Sequence, residues 1–522
     1  MARYKGYDYT QTVLIPVSLE NQLLPGTLEF AIHVLVERRM DISIFGSRYK
    51  NDETGCPAYD PKILLKVILV AYARGMISSR KIEQACRENV TFMALACGQV
   101  PDHSTIAAFV GSLKGEIASL FRDILLVCAE QELLGGSHFA LDGVKLPANA
   151  AKEWSGTFAE LRRKQEKLEA KLKEVLAQHE AADKEGEAAL GTGGRTERDK
   201  KQEQLKRLEH QAARIEAFLA AHDPKRGKQG QEIQSNVTDN ESAKMFTAHG
   251  VVQGYNSQAL VDAKHQVIVH AEAFGNGQDY GHVPPMVEGA KAHVQAIGLG
   301  EDYFAGKILS ADSNYHSEEN LKTCAHEQLD AYIPDSHFRQ RDPRFATQAR
   351  HHPPTDEKVD EKFTEADFRY DQDQDCYCCP GGRVLKLRAR RHQVENNLYR
   401  RYEAEEADCR SCPLREKCLL TPKTQRKHLA VFVEKVQETL SQQRRAKIDT
   451  PEAREIYGQR LAIVEPVFGN LRSQKRLDHF TLRGKIKVTI QWMLYCMVHN
   501  IEKVLHYGMR GKSWNQWEVQ VA

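Results

Sequence analysis

Three carboxylates sit where hard-metal chemistry would need them. Asp142 interrupts an apolar stretch, "HFALDGVKLPANA" at 138–150; Asp312 follows "KILSA"; Glu465 lies in "YGQRLAIVEPVFGNLRSQKR" at 457–476. An Asp in an apolar strand is costly unless it is paired or binds metal. Carboxylates converging from strand ends and a packed helix suit Mg²⁺, with Mn²⁺ as the alternative ion, because Mg²⁺ takes oxygen ligands and keeps some waters. Two such ions, about 3.5–4 Å apart, activate an attacking oxygen and stabilise a leaving one, as phosphodiester chemistry demands. Each residue also has a plainer reading. Strand-end Asp residues often cap turns. Glu465, with Arg460 just over a turn before it and Arg472 two turns after, fits a surface ion-pair ladder as well as a ligand flanked by phosphate clamps.

A second constellation is made of thiols. Of 12 cysteines, six fall between Cys376 and Cys418, and Cys379-Pro-Gly-Gly is followed by Cys409-x2-Cys412-x5-Cys418. A C-x2-C pair supplies two thiolates from one turn, and two more complete a tetrahedron, so Cys379, Cys409, Cys412 and Cys418 are the expected ligands of a structural Zn²⁺. Cys376 and Cys378 are spare, and the register within "CYCC" stays open, as does an incidental or redox-active thiol cluster. Around it runs "RVLKLRARRHQVENNLYRR" (383–401), with Arg388, Arg390 and Arg391; a second basic stretch holds Arg472, Lys475 and Arg476. Charge runs are usually solvated faces. Here, with 73 basic against 71 acidic residues overall, two dense patches point to DNA backbone contacts that position without reading sequence.

The elements that must hold these residues can be read from periodicity and caps. Residues 1–130 read as helical: Asp60-Pro61 opens a helix carrying Ile63, Leu64, Val67, Ile68 and Ala71, Gly75 ends it, Ser78 or Ser79 caps the next, and Asp102 or Ser104 a later one. Short helices and tight turns suit a helix-turn-helix-like DNA-binding domain or a plain bundle. A strand at 138–150 is followed by heptad-like spacing at Leu161, Leu168, Leu172 and Val175, and again at Leu205, Leu208, Ala212 and Ile215, about a "GTGG" link. That predicts a coiled-coil hairpin over 158–222. Strands follow at 251–262, 264–274, 306–315 (ending on Asp312) and 329–335, with a helix near 282–298. This order predicts a mixed sheet flanked by helices. Residues 336–450 are polar and Cys-bearing, and helical periodicity resumes from Pro451, with a kink or restart expected at Pro466.

The chain has 522 residues and 41% hydrophobic content, enough for about three domains. It has no apolar run near the ~18–20 residues of a membrane span and no leader pattern, so a soluble cytoplasmic protein is expected. The expected division is a helical DNA-binding domain at 1–130, the core's first strand at 131–157 and the hairpin insertion at 158–232. The core continues at 233–340, a zinc-binding insertion covers 341–450, and C-terminal core helices carrying Glu465 cover 451–522.

"LDG", "ADSNY" and "VEPVFGNLR", in that order, together with "DPKILLKVILVAYARG", "GYNSQALVD" and a late helix ending in "HN", resemble the motifs of bacterial insertion-sequence DDE transposases, most nearly the insertion-sequence-1182 group. The resemblance spans about residues 40–505 apart from the hairpin. It implies an α/β, RNase H-like catalytic core in which Asp142, Asp312 and Glu465 bind two Mg²⁺ ions, Asp142 bridging them. It also implies terminal inverted repeats and target DNA as partners, a bacterial, nucleoid-associated location, and joining of a freed 3′-OH to target DNA. The hairpin is expected to support a homodimer during synapsis. Related enzymes carry Tyr-x2-Arg-x3-Glu-x6-Lys; this chain has Tyr457, Arg460, Glu465 and Arg472, with four residues between Arg and Glu and Arg in place of Lys. The rivals are an RNase H-like nuclease and a non-catalytic, zinc-containing DNA-binding derivative.

Overall fold

Local chemistry starts the helices where caps and apolar spacing predict. α1 (Leu28–Arg38) begins behind Thr27, whose hydroxyl accepts from Phe30 N. α2 (Pro61–Ala73) begins behind Asp60, which accepts from Lys62 N at 2.8 Å, and has Pro61 at its first position, where a missing N–H costs nothing. Its side chains from Ile63 to Tyr72 are buried. α3 (Ser79–Glu88), α4 (Val90–Leu95), α5 (His103–Ser112) and α6 (Ile117–Glu130) follow. Asp102 caps α5 through Ser104 N and Thr105 N. Asn89 does the same for α4.

This computed structural model describes residues 18–49, 57–186, 194–227, 230–248, 250–351, 362–394, 397–419, 421, 423–435 and 440–508. The "GTGG" link falls outside them except for its last residue. The chain divides into two units, one of Met1–Ala311, His326–Asp330 and Gln459–Ala522, the other of Asp312–Ala325 and Ala331–Gly458.

In the first unit β1 (His138–Pro147) is central. β2 (Ser155–Gly156) pairs with β3 (Ser235–Asn236) at the base of two long helices, α7 (Phe158–Gly186) and α8 (Gly194–Ala221), which meet through Phe158, Leu161, Ile215 and Phe218. β4 (Ala243–Thr247), β5 (Gly250–Asp262) and β6 (Ile268–Phe274) complete the antiparallel side, while β7 (Ile308–Ser310) pairs parallel to β1, Phe139 opposite Leu309. The sheet order is β4-β5-β1-β7-β8, with β6 also on β5, and β8 (Asp330–Tyr332, whose last two residues are assigned to the second unit) joins where Asp330 N donates to Lys307 O. α9 (Val283–Ala296) covers β6 through buried Val283, Met286, Val287 and Ala290. A mixed sheet with flanking helices is consistent with the RNase H-like expectation.

The second unit contains α10 (Glu318–His326, whose last residue is assigned to the first unit), α11 (Phe338–Arg341) and a five-stranded antiparallel sheet. Its strands are β9 (Arg369–Asp371), β10 (Cys376–Cys378), β11 (Val384–Val394), β12 (Asn397–Ala404) and β13 (His428–Lys435), in spatial order β13-β12-β11-β10-β9. α12 (Glu406–Arg410) and α13 (Arg415–Cys418) lie between β12 and β13, and α14 (Leu440–Ile448) follows. A small core of Phe368, Tyr377, Leu385, Tyr402, Ala404 and Leu429 holds one face of the sheet.

The chain then runs into α15 (Pro451–Gly469), a π-helical stretch at Asn470–Gln474, and α16 (Lys485–Lys503). α16 is buried from Ile490 to Ile501. Its Asn500 stands in for a strand partner, donating to Ile268 O and accepting from Ile268 N, both at 2.8 Å. Trp492 Nε1 donates to Gln258 O. These bonds account for the late "HN" motif as an anchor between helix and sheet.

Candidate active site

Asp142 lies mid-strand on β1, opposite Ala259 of β5. Its Oδ1 accepts from Gly143 N at 2.8 Å, and its Oδ2 from Arg460 Nη1 at 2.7 Å. The Asp142 side chain is 24% exposed and that of Arg460 9%, so the carboxylate keeps access to solvent while the guanidinium is nearly buried. Gly143 points to the other side of the strand, where Gln258 Nε2 donates to Asn256 Oδ1 and Asp279 Oδ1 in a buried amide–carboxylate ladder. A Cβ on Gly143 would lie 2.1 Å from Gln258 Nε2. The glycine of "LDG" is therefore a packing requirement beside Asp142.

Arg460 comes from α15, which also carries Glu465. The buried stripe of that helix is Ile463, Val464, Val467 and, beyond its end, Leu471. Leu461 is 48% exposed, and Glu465 is on the solvent side. Pro466 does not end the helix. It lacks the N–H that Ala462 O would accept, and Gln266 Nε2 fills that place at 2.9 Å from the turn between β5 and β6. Gln266 also accepts at its backbone O from His499 and at Oε1 from Lys503.

Asp312 belongs to the second unit, two residues past β7. It caps a single turn, accepting from Asn314 N at 2.9 Å, so the turn-capping reading of a strand-end Asp does apply to it. Tyr457, also in the second unit, packs edge-on against Phe338. Among the described residues no group of three or more His, Cys, Asp or Glu side chains stands close enough to hold an ion as placed. Within the first unit the structure thus joins Asp142 to the helix of Glu465 through Arg460. The donor set remains chemically right for Mg²⁺, being all carboxylate oxygen.

The predicted phosphate contacts divide. Arg472 and Arg476 are exposed, the latter in a left-handed conformation with φ 52°. Lys475 is 1% exposed and its ammonium bonds Glu502 and Asn470, so it is a core ion pair rather than a cation offered to solvent. Arg460 is likewise spent on Asp142. Arg390 and Arg391 are exposed, whereas Arg388 shares Glu403 and Glu405 with neighbouring cations.

In the second unit Cys379, Cys409, Cys412 and Cys418 all line one cavity of about 20 Å³. Backbone N–H groups aim at two of the sulfurs, Arg383 N at Cys379 Sγ and Lys427 N at Cys409 Sγ. The thiol of Cys418 is pushed up, first by burial and then by the other three cysteines. Donor chemistry and N–H···S contacts fit zinc, although the sulfurs as placed do not close into a ligand set.

Two family comparisons bear on this arrangement. A transposase DDE domain matches residues 378–505, and a second transposase domain, DUF772, matches 17–111. Both matches are to transposase domains, and together they support an insertion-sequence DDE transposase. The first match spans the four cysteines, Arg460 and Glu465 but neither Asp142 nor Asp312; the second spans α1 to most of α5. Neither curated proteins nor solved structures give a match. No described helix of the chain is long and apolar enough to cross a membrane.

Proposed function

We propose that this transposase cleaves the ends of its element and joins the freed 3′-OH to target DNA, with Asp142, Asp312 and Glu465 as its catalytic carboxylates. The observation that carries the reading is the ion pair between Asp142, on the central strand, and Arg460, on the helix of Glu465. It fixes that helix against the strand by a charge-assisted bond. The three carboxylates would hold two Mg²⁺ ions, or Mn²⁺, which when bound activate the attacking oxygen and stabilise the leaving one. Cys379, Cys409, Cys412 and Cys418 would hold a structural Zn²⁺ that ties α12 and α13 to the small sheet. Arg390, Arg391, Arg472 and Arg476 would contact backbone phosphates. The N-terminal helices would bind the terminal inverted repeats, and the α7–α8 hairpin would hold two copies together during synapsis.

The test uses the purified chain and duplexes ending in the inverted repeats that flank its coding region. Metal-dependent cleavage and strand joining are expected, and both should vanish in Asp142→Asn, Asp312→Asn and Glu465→Gln with circular dichroism unchanged. Undiminished cleavage by Asp142→Asn would remove the proposed site. Cleavage without joining would make the enzyme a nuclease, and binding without cleavage a non-catalytic DNA-binding protein. Deleting 158–222 should abolish self-association.

A further inference from the structure

The five-stranded sheet of the second unit has one face on its own core and one turned outward. Directly opposed residues in antiparallel strands share a face. The register sets His392 opposite Tyr399, and Tyr399 opposite Phe432, so three ring side chains cross β11, β12 and β13 in a single row. Tyr399 and Phe432 meet edge to face with centroids 5.9 Å apart. Phe432 is 54% exposed, and Val394 and Val433 beside the row are also exposed. Such aromatic surface on a rigid sheet is left to water at a cost that packing does not explain.

The charge around the row is unbalanced. On the same outer face, among the described residues, Lys386, Arg388, Arg401 and Arg426 share two carboxylates, Glu403 and Glu405, several of them at 3.6–4.0 Å. Exposed Arg390 and Arg391 lie between Arg388 and His392 on β11. A cationic face carrying a transverse row of rings has the two attributes that hold a single nucleic-acid strand: charge that follows the phosphates and π-surfaces that accept any base.

We propose that the row His392–Tyr399–Phe432 is a stacking platform for unpaired bases of a DNA strand. The proposal rests on the transposase reading and names what the DNA must offer here, single-stranded nucleotides rather than intact duplex. Stacking requires bases out of the helix, since a paired base presents only its edge in the grooves. The cations on the same face would hold the strand's phosphates, and the rings would hold its bases.

The experiment compares full-length wild type, Phe432→Ala, Tyr399→Ala and Phe432→Trp. Fluorescence anisotropy measures binding to a labelled oligo-dT strand and to a blunt mixed-sequence duplex of equal length; 2-aminopurine in the single strand reports stacking. Expected is an about tenfold loss of single-strand affinity in each alanine variant, with 2-aminopurine quenching lost. Duplex affinity should hold within about twofold, and Phe432→Trp should behave as wild type. Phe432 is exposed enough to be replaced without opening the core, which a thermal melt verifies. Equal losses on both DNAs, or none, overturn the platform while leaving the transposase reading intact. A shift from dimer to monomer in Phe432→Ala with DNA affinity unchanged gives the face to a second copy and also overturns it. Wild type that binds neither DNA would count against the transposase reading itself.

Discussion

Arg460 spans from α15 to β1 and donates to Asp142 with Nη1 2.7 Å from Oδ2. The guanidinium is nearly buried, so its charge depends on that carboxylate. Arg460→Gln should therefore lower stability by about 2 kcal/mol, the scale of a charge-assisted hydrogen bond, read as a fall in the urea midpoint. Arg460→Lys should recover only part of it, because an ammonium cannot reproduce the planar fork. An unchanged midpoint in Arg460→Gln would show that the pair does not secure the helix.

Gly143 supplies a second test beside the same carboxylate. Any side chain there meets Gln258 Nε2 at 2.1 Å and Asn256 Oδ1 at 2.7 Å, and neither can retreat without breaking bonds to Asp279. Gly143→Ala should cost about 1–3 kcal/mol by overpacking. Pairing it with Gln258→Ala should return part of the loss by clearing the space. Additive losses in the double variant would contradict the clash.

Pro466 and Gln266 should be coupled. The proline leaves Ala462 O without its helical donor, and Gln266 Nε2 replaces it. Gln266→Ala should cost about 1–2 kcal/mol by orphaning a carbonyl. In that background Pro466→Ala restores an N–H and should recover stability. A double-mutant cycle by urea denaturation with no interaction energy would remove the account.

Much of the first unit was legible because its elements obey single local rules. Asp60-Pro61 and Asp102 are genuine caps, and the strand around Asp142 begins and ends within a few residues of expectation. Asp312 lies two residues past β7 rather than within it, since a strand of three residues has little pattern to mark its end. The sheet of the second unit was not legible. Its outer face carries Lys386, Arg388 and Glu403, and bulges after Leu387, Ala389 and Leu398 shift the alternation that would reveal strands. Lys475 read as a DNA contact because sequence lists a charge without its partner, and Glu502 lies 27 residues on. The pairing of Gln266 with Ala462 has no sequence signal, as its partners are far apart in the chain.

The cysteine cavity predicts a metal content. Purified chain should carry about one zinc ion, lost in Cys412→Ser and Cys409→Ser and kept in Cys376→Ser, because Cys376 lies on β10 away from the cavity lining. Elemental analysis alongside a chelator-driven thermal melt measures this. Zinc retained in Cys412→Ser, or lost in Cys376→Ser, would assign the ligands differently.

Acid should loosen the first unit through its buried histidines. Burial holds His270 and His499 down to about 3 and His282 to about 4, against an ordinary value of 6.5, with neighbouring cations or His293 adding to the shift. His499 is neutral with both ring nitrogens engaged, by Gln266 O and Asn470 Nδ2. On unfolding each imidazole regains its ordinary proton affinity. Below pH 6.5 the unfolded chain therefore binds protons that the folded chain refuses. Stability should be level above about pH 7 and fall progressively from about 6.5 toward 4, measured as the urea midpoint across pH. Carboxylates held low by ion pairs, such as Asp335 beside Arg341, add to the loss at the acidic end. His270 packs its ring against Gly289 and bonds through neither nitrogen, so His270→Leu should flatten part of the slope. A midpoint unchanged between pH 7.5 and 4.5 would mean that these imidazoles take up protons in the folded chain as readily as in the unfolded one.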